Sequence, residues 1–345
     1  MRSIKKIFFF IFLSFLLTNQ IKEKLSDYNI YLGDPHNLIT TNHFMPYELI
    51  TPLFSDYAYK HRAIHIPKNR KIQYDDKKVF KFPIGTIIAK TFYYPHDFNA
   101  LDKGVSLKET RIMIHEETGW IGLPYIWNDS ETDAFLDVAG GIKEASWIDS
   151  KGNKQLIDYI IPNMNQCKGC HSNNNEFIPI GPTARQLNSN YDYKDENKNQ
   201  IQKWDQLGLF HSLPEFGKIP VIEKWDDPNS GSLDKRARAW LDINCAHCHN
   251  VNGPANNTGL YLDYYETNNK SLGIFKTPVA AGRGSGYLKY DIVPGKPEKS
   301  IMVYRFNSTD PGIMMPELGR TMVHKEGLDL IKDWIEHIDL VRIEF

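Results

Sequence analysis

The chain has 345 residues, 41% hydrophobic, 24% charged and 12% aromatic, which is the composition of a globular protein with room for two or three units that each bury a core. A net charge of -1 without any dense Lys/Arg stripe excludes a nucleic-acid surface. All four cysteines fall in two C-x-x-C pairs, which leaves none for a structural disulfide and points to a dedicated cofactor use.

Residues 1–20 carry Arg2, Lys5 and Lys6 ahead of an apolar run over 7–17, with polar residues from Thr18. A charged start before an apolar run too short for an ordinary span predicts an export signal and a periplasmic location. No clean small-x-small cleavage site follows, so an uncleaved N-terminal anchor stays open as the route to membrane contact. No cysteine lies near the end of the run, which argues against a lipoprotein anchor.

Residues 21–162 read as a β-rich domain. Segments 71–74, 79–83, 86–94, 110–115, 120–127 and 155–161 are rich in β-branched and aromatic residues, and turn chemistry at 117–119 and 149–153 punctuates them. A β-sandwich-like arrangement is expected, with its aromatic residues in the core.

Residues 163–224 hold the first C-x-x-C-H, an Ile-Pro-Ile-Gly-Pro turn at 178–182, a short helix over 183–187 and a polar stretch over 188–199. That stretch lacks the central Gly and terminal Glu of a calcium loop. A second helix is predicted over 200–210, with Ile201, Trp204 and Leu207 on one face. In residues 225–345, Ser232 caps a helix bearing Leu233, Ala237, Trp240 and Leu241 that runs into the second C-x-x-C-H. Leu328, Ile331, Trp334, Ile335 and Ile338 form the stripe of a terminal helix. Gly-, Pro- and Asn-rich loops between them suit a flat cofactor. The expected class is a multidomain α+β chain: a β-sandwich-like domain followed by a mainly α-helical c-type cytochrome region with two haem sites.

The chemistry lies in Cys167-Lys168-Gly169-Cys170-His171 and Cys245-Ala246-His247-Cys248-His249. Covalent haem attachment needs two thiols that add to vinyl groups on neighbouring pyrroles, and two intervening residues span that distance in one turn of chain. The following histidine then ligates the iron. The motifs therefore predict two haem c groups on Cys167, Cys170, Cys245 and Cys248, with His171 and His249 as axial ligands. A single four-thiolate zinc site, a thioredoxin-like motif and a pair of disulfides are the competing readings. With 12 histidines in the chain, His after both pairs by chance has a probability of roughly one in a thousand. His247, inside the second motif, is expected to face solvent or to neighbour the ligands without binding iron.

For the other axial position of the second haem, Met315 directly precedes Pro316 on a constrained loop before the terminal helix, and is preferred to Met314. The first haem has no clear partner; His211, Met164, Met113 and His115 are candidates, as is an open position. Arg305 and Arg320 are candidate partners of haem propionates.

The chain resembles a family of bacterial two-haem c-type cytochromes of largely unassigned function. The resemblance rests on residues 51–58 (Thr-Pro-Leu-Phe-Ser-Asp-Tyr-Ala), 90–95 (Lys-Thr-Phe-Tyr-Tyr-Pro), 165–171, 178–182, 236–239 (Arg-Ala-Arg-Ala), 244–250 and 315–320 (Met-Pro-Glu-Leu-Gly-Arg). It implies an N-terminal β-rich domain, a C-terminal class I-like cytochrome c domain, and periplasmic electron transport. The expected function is single-electron transfer between exported redox partners. One alternative is a peroxidase-like haem enzyme with an open position at the first haem. Another is an electron-accepting subunit that docks a dehydrogenase through the β domain.

Overall fold

The computed structural model describes residues 21–339, so the N-terminal segment expected to direct export or anchor the chain lies outside the described residues. The N-terminal half is built on a six-stranded antiparallel meander: β1 (Met45–Tyr47), β2 (Tyr59–His65), β3 (Ile87–Pro95), β4 (Val105–Glu116), β5 (Gly119–Trp127) and β6 (Ala134–Leu136), paired in that order. A separate hairpin follows, β7 (Gly141–Ile148) with β8 (Lys154–Ile161).

Alternation of side chains along β2–β4 gives the sheet two different faces. Ala63, Ala89 and Ile112 stand opposite one another across three strands, and pack with Leu123, Tyr125 and Trp127 under a lid of Leu25, Tyr28, Ile30 and Phe44. The second face is covered in two places. Ile64, Ile88 and Met113 meet Ile72, Phe80, Ala184, Leu187, Ile201 and Trp204. Phe92 and Tyr94 meet Ala145, Trp147, Tyr159 and Ile161 of the hairpin.

Beyond residue 163 come α1 (Met164–Cys170), the ribbon β9 (Ser172–Asn173) with β10 (Glu176–Phe177), and α2 (Ala184–Leu187). The ribbon β11 (Asn190–Asp192) with β12 (Asn197–Asn199) leads to α3 (Gln200–Gln206), and then come α4 (Leu233–Leu241), α5 (Ile301–Phe306) and α6 (Lys325–Glu336). Ser232 caps α4 through the Lys235 N–H, which satisfies one of the orphan donors of its first turn. Trp240 and Leu241 of α4 join Leu328, Ile331, Trp334 and Ile335 of α6, and Met302, Val303 and Phe306 of α5, in one core. Among the described residues no helix is long and apolar enough to cross a membrane.

Two expectations are corrected here. The region after residue 163 is not mainly α-helical: its helices run from four to twelve residues, and turns, single helical turns and two-residue ribbons carry most of the path. The helical stripes are real, but the Gly-, Pro- and Asn-rich sequence between residues 250 and 300 breaks the period before a longer helix can form. A β-rich chain around a six-stranded antiparallel sheet does not fit a mainly helical class I-like cytochrome c domain, so the family resemblance is not upheld. The sandwich expectation also needs revision. What faces the large sheet is one hairpin and short helices rather than a second sheet, because residues 184–219 bring α-helical and loop side chains to the Ile64–Met113 side.

Candidate functional site

The first motif sits on α1. Asn163 accepts from the Gln166 N–H while the Gln166 side chain accepts from the Asn163 N–H, a capping box that fixes the helix start. Cys167 and Cys170 fall three residues apart on this one-turn platform, and His171 closes it, its N–H bonding the Cys167 carbonyl. The His171 Nδ1–H donates to the Ile178 carbonyl at 2.9 Å. Burial, with the Lys90 charge adding to it, pushes the imidazole down to about 3, so the ring is neutral and Nε2 keeps its lone pair.

The second motif follows α4 through a π-helical turn, Asp242–Ala246. The buried pair Arg185–Asp242, at 2.8 Å, ties the start of that turn to α2. Thr258 donates its hydroxyl proton to the Ala255 carbonyl, so its oxygen is left to accept from His249 Nδ1 at 3.4 Å. His249 therefore repeats the arrangement of His171: Nδ1–H engaged, Nε2 free, and the ring held neutral by burial, which pushes it down to about 4.

Two cavities adjoin these rings. One, of about 80 Å3, is walled by Cys245, His249, Leu260, Met302, Arg305, Phe306 and Met315. The structure thus brings Met315 together with the second motif. Arg320 donates to the Met315 carbonyl, and the Met315 N–H bonds the Arg305 carbonyl, so the residue is held from both sides. Met314 is buried but does not line this cavity. Arg305 lies on its wall with Nε donating to the Ile313 carbonyl.

The other cavity, of about 90 Å3, lies between the sheet and the C-terminal core. Cys167, Cys170 and His171 line it, as do Lys90, Arg111, Trp240, Met315, Arg320 and His324. The four residues expected to compete for the open side of the first haem all stand elsewhere. Met113 packs in the core with Ile64 and Ile88, and His115 stacks on Trp120 at 4.6 Å. Met164 packs under the opposite face of the sheet, and His211 lines a separate surface hollow with Lys71 and Lys218.

His324 is a residue that sequence reasoning missed. It is a lone histidine ahead of α6, and its partner Trp240 lies 84 residues away in the chain. Its ring stacks on Phe54 at 4.2 Å, and its Nδ1 accepts the Trp240 indole N–H at 3.0 Å. An indole nitrogen only donates, so the neutral ring carries its proton on Nε2. Nε2 lies 4.0 Å from the Glu326 carboxylate and the Nδ1 lone pair is taken by Trp240, so in this arrangement neither ring nitrogen presents a free lone pair.

The two motifs meet at their second cysteines. Ligand atoms of Cys170, His247 and Cys248 all lie within 4.8 Å of one another. Donation from Cys248 lowers the Cys170 thiol to about 4 against the effect of burial, with His247 assisting, while Cys248 is pushed up by the same contact. Cys245 is buried, which pushes its thiol up to about 12. Of the two placements expected for His247, facing solvent or neighbouring the ligands, the structure has the second: it is half-buried against the thiol of the other motif, and its Nδ1 has no hydrogen-bond partner among the described residues.

The residue types fit covalently attached haem: the first motif lines its cavity with both thiols and a neutral imidazole, while the second lines its own with Cys245, His249 and the Met315 thioether and turns Cys248 toward Cys170. Cys170, His247 and Cys248 are also a three-ligand set of the type that suits zinc. No family model, no curated protein and no solved structure matches the chain.

Proposed function

We propose that the chain is an exported electron-transfer protein carrying two haem c groups. One is held by Cys167, Cys170 and His171, and the other by Cys245, Cys248 and His249 with Met315 as the second axial donor. The observation that carries this reading is the shared state of the two motif histidines, each neutral, with Nδ1–H engaged and Nε2 free beside its own cysteines. Such histidines are prepared to bind iron, and a surface imidazole is not. Bound haem supplies a one-electron couple. The chain's own part is to fix the ligands, exclude water with Leu260, Met302 and Phe306, and set the charge around each site. An exported redox protein or dehydrogenase is the partner such a couple requires.

A second reading is a haem enzyme with an open position at the first haem. It is favoured by the placement of Met113, His115, Met164 and His211, all of which stand away from the first cavity.

The test is expression with a haem-attachment system, followed by haem quantification, metal analysis and electron paramagnetic resonance. Two covalent haems per chain, both low-spin, support the electron carrier. One low-spin and one high-spin haem support the enzyme. Colourless protein holding one zinc, lost on Cys170→Ser or Cys248→Ser, overturns both.

A further inference from the structure

Across the second face of the large sheet, Arg62 on β2 stands opposite Lys90 on β3, and Lys90 opposite Arg111 on β4. Like charges directly opposed on one face of a sheet repel, and burial strengthens the repulsion. Lys60 lies two residues from Arg62 on the same face. Lys60, Lys90 and Arg111 crowd one aromatic ring, that of Phe92, at 5.9, 5.1 and 4.3 Å from its centre.

The protein answers only part of this charge. Arg111 holds both oxygens of the buried Glu109, through Nε at 2.8 Å and through Nη2, which leaves Nη1 for a further acceptor, and Arg62 has Glu48 at 3.6 Å. The Asp56 carboxylate acts on Lys60 from a distance but is engaged by the Thr321 and Met322 N–H groups. Lys90, at the centre of the row, has no carboxylate within ion-pair distance among the described residues. Burial and the flanking Arg111 and Arg62 push its ammonium down to about 7, so Lys90 is only partly charged near neutral pH and a carboxylate placed beside it would restore its proton.

Its position gives the missing anion a source. The row lies in the gap between the two clusters that cover this face, Ile64–Ile88–Met113 on one side and Phe92–Tyr94 on the other. That gap opens into the cavity lined by Cys167, Cys170 and His171, and Lys90 and Arg111 are both on its wall. A haem held by those three residues brings two carboxylates that must find partners when taken out of water.

Resting on the two-haem reading, we propose that Lys90 and Arg111 form the anion seat of the first site and take the propionate carboxylates of the haem attached at Cys167 and Cys170. The sequence pointed instead to Arg305 and Arg320 for that role. Arg305 lines the second cavity, and Arg320 spends its guanidinium on the carbonyls of Ser308, Met315 and Met322.

The test is a spectroelectrochemical titration of the haem-loaded protein. The first haem's wave is the one missing from Cys167→Ala/Cys170→Ala protein. A cation beside the propionates favours the reduced haem, so Lys90→Gln lowers that haem's equilibrium constant for electron uptake about ten-fold, a fall of 59 mV for one electron. The second wave stays in place. Lys90→Met, which keeps the stem's volume, gives the same fall, and Lys90→Arg holds the wild-type value. First-haem equilibrium constants for electron uptake that stay within two-fold of wild type in both Lys90→Gln and Lys90→Met overturn the seat while leaving the two-haem reading intact. Wild-type protein without covalent haem defeats the reading itself.

Discussion

Replacing Arg185 by Met removes one half of an ion pair whose side chains are only 7% and 5% exposed. Arg185 reaches both oxygens of Asp242, through Nη2 at 3.0 and 2.8 Å and Nε at 3.2 Å. Burial alone would disfavour the guanidinium charge, but the Asp242 carboxylate more than offsets it and raises the Arg185 pKa. Breaking a buried pair by removing one partner costs ~3–5 kcal/mol, because the survivor is left charged and unpaired. Asp242 Oδ1 keeps the Tyr264 N–H at 3.0 Å, which places the loss at the lower end, ~3 kcal/mol. In urea unfolding followed by far-ultraviolet circular dichroism, with a slope of ~3 kcal/mol/M, the midpoint falls by ~1 M. Arg185→Met/Asp242→Leu replaces both charges and recovers most of the loss, so the double-mutant cycle yields a coupling above ~2 kcal/mol. A single-variant loss under ~1 kcal/mol, or a double variant as damaged as the sum of the two singles, refutes the reasoning. Because Asp242 opens the turn that carries Cys245, Arg185→Met also reduces haem attachment at the second motif when loading is assayed by absorbance.

Three further outcomes are expected. Met315→Ala removes the thioether from the second cavity and lowers that haem's potential, whereas Met314→Ala leaves it in place; a redox titration of both variants decides between them. Burial, reinforced by Lys60 and Arg320, pushes His324 down to about 3 from 6.5, so its contribution to stability is intact above pH 6.5 and is lost as pH falls toward 3, at ~1.4 kcal/mol per pH unit. His324→Phe should therefore show a shallower fall in unfolding free energy on acidification than wild type, and equal slopes contradict the assignment. In Gly253→Ala the added carbon would lie 2.3 Å from the Cys248 carbonyl oxygen, so the chain behind the second motif must shift; a loss under ~1 kcal/mol in urea unfolding speaks against that constraint.

Sequence periodicity located what is local. The β-branched runs at 86–94, 120–127 and 155–161 became β3, β5 and β8, and Ser232 caps α4 as its position before a helical stripe suggested. β2 was hidden because Lys60, His61, Arg62 and His65 look too polar for a strand, and the cations there belong to a charged row completed by two other strands. The sequence left His247 either facing solvent or beside the ligands, and could not choose because the thiol this histidine faces is supplied by the other motif. The helical expectation failed for a different reason. Each stripe was correct within its own turn or two, but the intervening residues fold as loops whose order comes from bonds such as Arg238 to the carbonyls of Asp263 and Glu266.

The meeting of Cys170 with Cys248 has a consequence for how this molecule is made. The two sulfurs are close enough to be joined as a cystine across motifs by a disulfide donor: the Cys170 thiolate, as the more acidic of the two, attacks the donor disulfide and expels one of its thiols, and Cys248 then resolves the mixed disulfide and releases the other. Such a bond would occupy one attachment point of each motif at once. If the chain is exported and loaded with haem as proposed, a reductant must reach this pair before the porphyrins do, and alkylation of either sulfur ends the hazard for both.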